Sequence, residues 1–308
     1  MSDELEFTGE RFTPECVREI WYEHFHRYAF ACPAARGRRV LDAACGEGYG
    51  SALLAQGAQT VQGVDIDPQA VAHAHARYAH QANLSFEVCD ATTLNALPDA
   101  SFDLITSFET LEHVEAQERM LAGFRRLLAP GGVLLVSSPD KAQYSDATGH
   151  ANPFHVRELY RDEFEALLAA RFPARRLFAQ KLLFQGALWR VDGGGARYAA
   201  SSMDAGDEQP QPNLRYPPLY YVAACAADEA AIDALDLPDL HLFGDRAESL
   251  YTHYNREVAR VIEAGHVLVE RDARIAELEA QCARLERSGS AAPATEHRQS
   301  WWQRLRAW

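Results

Sequence analysis

Three glycines at alternate positions, Gly46, Gly48 and Gly50, sit in the run Val-Leu-Asp-Ala-Ala-Cys-Gly-Glu-Gly-Tyr-Gly-Ser over residues 40–51. The run reads as a short buried strand, a tight turn and the first turn of a helix. Side chains at such a turn would keep a ligand away from the backbone, so glycine there permits close approach. Residues 61–64 read as a second strand that ends on Asp65. A carboxylate about 20 residues beyond a glycine turn is where a strand–helix–strand nucleotide site places its acceptor for ribose hydroxyls.

The details choose among nucleotide ligands. A dinucleotide fingerprint runs G-x-G-x-x-G, whereas the third glycine here is Gly50 and Ser51 follows it. Asp42 before the turn and Glu47 within it would repel a pyrophosphate. A ligand with an adenosine, a positive centre and no phosphate suits them better, and S-adenosylmethionine is such a ligand. The competing reading is an ordinary strand–helix turn whose glycines serve packing alone.

The chain has 308 residues, 47% of them hydrophobic, which is ample for a core in one large or two small domains. No run approaches the roughly 20 apolar residues of a membrane span, and the acidic residues 1–9 hold no signal-peptide core. The cysteines at 16, 32, 45, 89, 225 and 282 form no C-x-x-C pair, so neither a disulfide framework nor a zinc cluster is indicated and a cytoplasmic location is expected. A net charge of −14 argues against a nucleic-acid partner, because phosphate contacts need clustered cations.

Residues 1–32 are expected to form an N-terminal flap and helix. Thr8, Gly9, Glu10, Arg11 and Phe12 suit a flap over a ligand or a simple cap. Residues 16–31, bearing Ile20, Trp21, Phe25, Tyr28 and Phe30, read as an amphipathic helix. Residues 33–227 are expected to be the ligand-binding domain. Strands are expected at 39–43, 61–64, 84–88, 102–108 and 133–137. Helices are expected from about 49, after Asp67-Pro68, and between the fourth and fifth strands up to Pro130-Gly131-Gly132. Such repeated units imply an α/β, doubly wound parallel sheet with helices on both faces and a ligand at the carboxyl ends of the strands.

Beyond the fifth strand a loop over 143–155, a helix over 157–170, a strand over 176–184 and a turn-rich stretch over 193–212 are expected. A strand over 218–226 would complete a terminal antiparallel hairpin on the sheet edge. Residues 228–245 read as a linker. Residues 246–287 form one long helical pattern in which Ile275, Leu278, Cys282 and Leu285 repeat at coiled-coil spacing, so self-association is expected there. Residues 288–297 read as a flexible linker. In residues 298–308, Trp301, Leu305 and Trp308 share a helical face while Arg298, Arg304 and Arg306 supply charge. That suits a membrane surface or a partner groove, the alternative being a disordered tail.

With these residues assembled, the sequence resembles the class I S-adenosylmethionine-dependent methyltransferases over residues 5–226. The motifs are residues 40–51, Val64-Asp65-Ile66-Asp67, Cys89-Asp90-Ala91 and Leu127-Leu128-Ala129-Pro130-Gly131-Gly132. Thr8 to Phe12, Glu23-His24-Phe25-His26-Arg27-Tyr28 and Asn152-Pro153-Phe154-His155-Val156 further resemble a bacterial subgroup. Its members accompany glycosyltransferases in O-antigen or other surface-polysaccharide clusters, and a coiled coil often follows the domain. The resemblance implies a Rossmann-like fold with S-adenosylmethionine as cofactor. By position, Asp42, Gly46 and Gly48 would hold the methionine portion, Asp65 the ribose hydroxyls and Asp90 the adenine. Ile66 and Ala91 would line the adenine slot, and Ala44 and Phe108 would complete the cofactor contacts.

In-line attack on an activated methyl group needs mainly positioning and desolvation. A sugar hydroxyl is nonetheless a weak nucleophile that benefits from a general base. His155, in the loop after the fifth strand, and His113, after the fourth, are the candidate bases, with His150 third. Glu109 would orient an imidazole or contact the cofactor. Each histidine reads equally as a residue that only bonds backbone. No metal site is expected: Asp140, Asp146 and a histidine would suit magnesium, but no ligand pair has diagnostic spacing.

The expected activity is O-methylation of a sugar in a surface glycan or its lipid-linked precursor. The alternatives are methylation of a quinone precursor or other small molecule, and a cofactor-binding scaffold for glycosyltransferases. The expected partners are a glycan or small-molecule acceptor, a second copy through residues 246–287, glycosyltransferases, and the inner membrane surface through residues 298–308.

Overall fold

The computed structural model describes residues 13, 19–149, 151–188, 190, 199–203 and 209–290. The flap at 8–12, His150 and the tail at 298–308 lie outside the described residues. The chain divides into two compact units, one ending at Asp245 and one beginning at Arg246.

The first unit opens with α1 (Glu19–Ala35), β1 (Arg39–Ala43), α2 (Tyr49–Ala55), β2 (Thr60–Asp65), α3 (Pro68–Tyr78), β3 (Leu84–Val88) and β4 (Phe102–Ser107). It continues with α4 (Gln117–Leu127), β5 (Leu128–Pro139), α5 (Arg161–Ala169), β6 (Ala174–Gln180), the two-residue strands β7 (Ser201–Ser202) and β8 (Gln211–Pro212), β9 (Tyr220–Ala226) and α6 (Glu229–Asp233). Seven strands form one sheet in the order β3-β2-β1-β4-β5-β9-β6. The first five are mutually parallel, and β9 is antiparallel to both β5 and β6. The strand order therefore reverses between β1 and β4, the place where a crevice opens at the carboxyl ends of a doubly wound sheet. The expected edge hairpin is present, with its second strand, β9, on the inside.

Both faces of the sheet are apolar, as a parallel sheet covered on two sides requires. Leu41, Ile105, Leu134 and Val136 point to one face, where Met120, Leu121 and Phe124 of α4 and Phe164 and Leu168 of α5 cover them. Their strand neighbours Val40, Leu104, Val133 and Leu135 point to the other, against Tyr28, Ala31 and Ala34 of α1, Leu54 of α2 and Ile232 of α6. The alternation follows from the period of two along a strand.

Several boundaries differ from expectation for identifiable reasons. The first helix runs through Pro33 to Ala35, because Ala31, Ala34 and Ala35 are fully buried there. Pro130, Gly131 and Gly132 lie inside β5 as an irregularity, since Phe102 pairs with Leu128 but Leu104 already pairs with Val133. The expected helix from 157 begins only at Arg161: Leu159 bridges Asp140, and the Tyr160 backbone N–H donates to Glu163 Oε2 at 2.9 Å to start α5. The expected loop from 143 contains a π-helical turn, Ala142–Asp146. The expected strand at 176–184 is Ala174–Gln180 instead. The expected linker at 228–245 carries α6 and brings Phe243 onto Trp21 of α1 with ring centroids 5.5 Å apart.

The second unit contains α7 (Ser249–Ser290). Val258, Val261, Ile262, Ile275, Leu278 and Leu285 are exposed on it. Among the described residues, no helix is long and apolar enough to cross a membrane.

Candidate functional site

The turn after β1 is built from three left-handed residues, Ala44 (φ 60°), Gly46 (φ 56°) and Gly48 (φ 87°). A Cβ on Gly46 would meet nothing within 4 Å, so this position faces open space. A Cβ on Gly50 would lie 2.0 Å from the Tyr28 ring, so Gly50 is a packing requirement. The glycine turn thus contains one glycine that faces open space and one that packing requires.

Asp65 ends β2 and turns its carboxylate back over this turn. Its Oδ2 accepts from the Gly46 backbone N–H at 2.8 Å and its Oδ1 from the Asp67 N–H at 2.9 Å. The Cys89 N–H donates to the Asp65 carbonyl at 2.9 Å, which aligns the ends of β2 and β3. Asp90 follows and caps its own turn, its Oδ1 accepting from Thr92 N at 2.7 Å. Between these strand ends Ile66 is 68% exposed beside half-buried Asp90 and buried Ala91, leaving an open apolar surface suited to an adenine ring. Phe108 is buried and meets Tyr28 edge-on.

Two acidic residues of the motif sit differently from expectation. Asp42 is fully buried, and its carboxylate accepts from Tyr28 Oη at 3.1 Å, Ser51 Oγ at 2.6 Å and Thr106 Oγ1 at 2.7 Å. Burial pushes its pKa up to about 6, although the three hydroxyl donors favour the charge. The structure places it beneath the turn, joining α1, α2 and β4. Glu47 points toward α3, where Tyr78 Oη donates to it at 3.2 Å and Arg77 lies 3.5 Å away. Its charge is therefore spent within the protein rather than offered to a ligand.

Across the sheet's switch point, Glu109 lies two residues beyond β4 and is a non-glycine residue at φ 50°. Its carboxylate pairs with Arg27 of α1 at 3.2 Å and accepts from Ser137 Oγ at 2.9 Å. Glu109 was expected to orient an imidazole or contact cofactor; its carboxylate, partly buried, is held by the buried Arg27. The Arg27 guanidinium donates to Gln180 Oε1 at 2.7 Å and lies over the Tyr220 ring at 4.5 Å. Tyr220 Oη in turn donates to Glu23 at 3.1 Å. Burial drives the Glu23 pKa up to about 7, with Arg27 opposing and Glu109 adding to the shift. None of Arg27, Glu23 or Tyr220 was singled out as functional from sequence. For Glu23 and Arg27 the sequence signals were charge on the apolar helix at 16–31 and their place in the subgroup motif at 23–28.

The two candidate bases are brought together. The His113 and His155 rings meet edge-on at 4.9 Å, and His155 stacks on Tyr144 at 5.1 Å. His155 Nδ1 lies 2.6 Å from Glu158 Oε1, and His113 Nδ1 lies 3.1 Å from the Phe154 carbonyl oxygen. Glu112 is buried beside them, and its carbonyl accepts from the Val156 and Arg157 N–H groups at 2.8 and 3.0 Å. Among the described residues, the metal-type ligands that converge are Glu112, His113 and His155. Asp140 and Asp146 do not join them: Asp146 accepts from Tyr160 Oη at 2.9 Å. Sequence missed Glu112, although it adjoins His113, because only the fold brings the loop of His155 to it.

A parallel sheet with a carboxylate clamped to a glycine turn at its carboxyl edge defines a Rossmann-like, adenosine-binding protein. Residues 41–136 match the methyltransferase domain family. A probable S-adenosylmethionine-dependent methyltransferase of Mycobacterium tuberculosis (strain CDC 1551 / Oshkosh) is 35% identical over 236 residues, covering 75% of this chain and 81% of that protein. One from Mycolicibacterium smegmatis is 39% identical over 167 residues, 53% of this chain and 63% of that protein. The ubiquinone biosynthesis O-methyltransferase of Albidiferax ferrireducens is 32% identical over 131 residues, 42% of this chain and 49% of that protein. The chain belongs to the S-adenosylmethionine-dependent methyltransferases, and S-adenosylmethionine is its cofactor. The residues present fit it, through the open Gly46 cradle, the Asp65 carboxylate and the exposed Ile66 surface.

Proposed function

We propose that this methyltransferase modifies a hydroxyl oxygen of a sugar in a surface glycan or its lipid-linked precursor. The bound cofactor supplies an activated methyl group. This chain's residues then have to hold the acceptor in line, exclude water and take away the hydroxyl proton.

The observation that supports the reading is the imidazole pair. Nδ1 of His155 faces the Glu158 carboxylate and Nδ1 of His113 faces a carbonyl, so each carries its proton on that nitrogen. On His155 the Nε2 is then left with a lone pair where a hydroxyl can be activated. Tyr144, stacked on His155, supplies an aromatic face of the kind sugars pack against. A weak nucleophile needs such activation.

Incubating the enzyme with S-adenosylmethionine and cell-envelope glycans, and reading a 14-dalton mass increase, about one methylene, tests this. A mass gain in a glycan that disappears in His155→Ala supports it, and gain only in phenolic acceptors overturns it. Phenolic methylation is the second reading, favoured by the similarity to a ubiquinone biosynthesis O-methyltransferase. The exposed apolar side chains of α7 support pairing with a second copy of the chain.

A further inference from the structure

We propose that the cavity between α1, β6 and residues 238–241 binds the lipid end of the acceptor, an alkyl or prenyl chain whose phosphoryl group meets Arg27. The cavity holds about 420 Å³, within the range of ordinary small-molecule pockets, roughly 300–1,000 Å³. Phe30, Phe178, Leu214 and Val222 give it an apolar wall, with the Phe30 and Phe178 rings edge-on at 5.0 Å. An apolar chain laid on that wall leaves water, which favours binding in proportion to the area covered.

Arg27 is the reason for an acid at the end of that chain. It lines the cavity, is 2% exposed, and gives its Nε–H to Gln180 Oε1 at 2.7 Å. Among the described residues neither Nη1 nor Nη2 has a hydrogen-bond acceptor, although Nη2 lies 3.2 Å from Glu109 Oε1. Buried donors without acceptors are costly, and a phosphoryl group offers a planar guanidinium several acceptor oxygens at once. Two carboxyl groups also act on Arg27, those of Glu109 and Glu23. Burial holds the Glu23 pKa near 7, so close to neutrality Glu23 opposes an incoming anion with less than a full charge. Of the other polar lining residues, Asp239 is acidic, while burial pushes the His26 pKa down to about 4 and also lowers that of His241. Arg27 is therefore the cation among the described lining residues.

The same guanidinium connects the cavity to the reaction. It lies over the Tyr220 ring at 4.5 Å, Tyr220 meets Tyr144 at 5.9 Å between centroids, and Tyr144 stacks on His155 at 5.1 Å. A lipid phosphate on Arg27 therefore puts the first sugar along two aromatic rings, with its hydroxyls toward His155. That arrangement selects the lipid-linked precursor over the finished glycan as acceptor. The sugar's role rests on the glycan reading above, whereas the binding of an acidic amphiphile in the cavity does not.

The test titrates the full-length chain by calorimetry with decyl phosphate, kept below its micelle concentration, and with decanol. Wild type is compared with Arg27→Gln and with Ala200→Trp, which fills the cavity and leaves Arg27 in place; binding of S-adenosylmethionine reports an intact fold in each. One decyl phosphate per chain is expected. Affinity should fall about tenfold or more for decanol, for Arg27→Gln and for Ala200→Trp. No saturable binding to wild type overturns the site, as does equal binding of decanol or equal binding by Ala200→Trp, and these two comparisons decide even if Arg27→Gln does not fold. Decyl phosphate should raise the KM for a lipid-linked glycan acceptor and leave kcat unchanged. Methylation unaffected by saturating decyl phosphate overturns the cavity's role in holding the acceptor. If decyl phosphate binds as expected and no glycan is methylated, the amphiphile site stands and the glycan reading falls. If a glycan is methylated and decyl phosphate does not bind, the cavity falls and the glycan reading stands.

Discussion

The backbone N–H of Gly46 donates to Asp65 Oδ2 at 2.8 Å, tying the turn after β1 to the end of β2. The carboxylate we assign to the ribose also shapes the turn we assign to the methionine portion, so the two halves of the proposed cofactor site would be one hydrogen-bonded unit. Oδ1 is engaged by the Asp67 N–H at the start of α3, which fixes the carboxylate's orientation.

Asp65→Ala is therefore expected to weaken S-adenosylmethionine binding by about 100-fold, since hydrogen bonds to a charged group contribute about 1.5–3 kcal/mol each. Calorimetric titration measures this. Affinity within a few-fold of wild type would remove Asp65 from the site.

Gly46 and Gly50 are expected to fail in opposite ways. Gly46→Ala places a methyl group in open space at φ 56°, so folding loses only about 1–2 kcal/mol of backbone strain. Cofactor affinity should still fall by about tenfold or more, because the methyl group occupies the ligand's approach. Gly50→Ala drives a Cβ to 2.0 Å from the Tyr28 ring, which its hydroxyl anchors to Asp42. Overpacking of that kind costs about 1–3 kcal/mol or more, and a drop in Tm of several degrees is expected. Thermal denaturation beside titration separates the two, and equal Tm losses would contradict the assignment.

What was legible in sequence was local. The β1 turn, Asp65 and the Asp67-Pro68 helix start follow from short-range spacing, and the sheet follows from repeated apolar runs. Glu47 was misread because charge at a turn says nothing of direction, and α3 turned out to supply Tyr78 and Arg77 for it. The pairing of Glu109 with Arg27 was invisible because Arg27 lies far away in the chain. The grouping of Glu112 with His155 was invisible for the same reason, since it depends on backbone hydrogen bonds between β4's end and a distant loop.

Glu23 should make stability fall with rising pH. Its folded pKa is about 7 against an ordinary value of 4.5, so its contribution is full below pH 4.5 and lost as pH rises toward 7. The shift corresponds to on the order of 3 kcal/mol. Glu23→Gln keeps an acceptor for Tyr220 and lacks the titration. Relative to wild type it should gain that stability between pH 4.5 and 7, read by denaturant unfolding at each pH. A difference that stays flat across the window would contradict the shift.

Buried Arg27 and partly buried Glu109 should behave as a unit. Arg27→Met leaves Glu109 without its cation, and Glu109→Gln leaves the guanidinium without its anion. Each is expected to cost about 3–5 kcal/mol. The double variant should cost markedly less than the two added together, and a double-mutant cycle measures the difference. Simple additivity would show that the pair is not coupled.

Self-association rests on α7 alone. Ile275, Leu278 and Leu285 are exposed in the single chain, and full burial of such side chains contributes about 1.5–3 kcal/mol each. A second copy covering them would gain that energy, while Ile275→Glu with Leu278→Glu would bury two charges in the same seam. Light scattering is expected to show an assembly in wild type and a single chain in the double variant. Binding of S-adenosylmethionine should be unchanged, because every residue proposed for its site belongs to the unit ending at Asp245. A wild type that is monomeric at all working concentrations would leave the apolar stripe of α7 without a second copy to explain it.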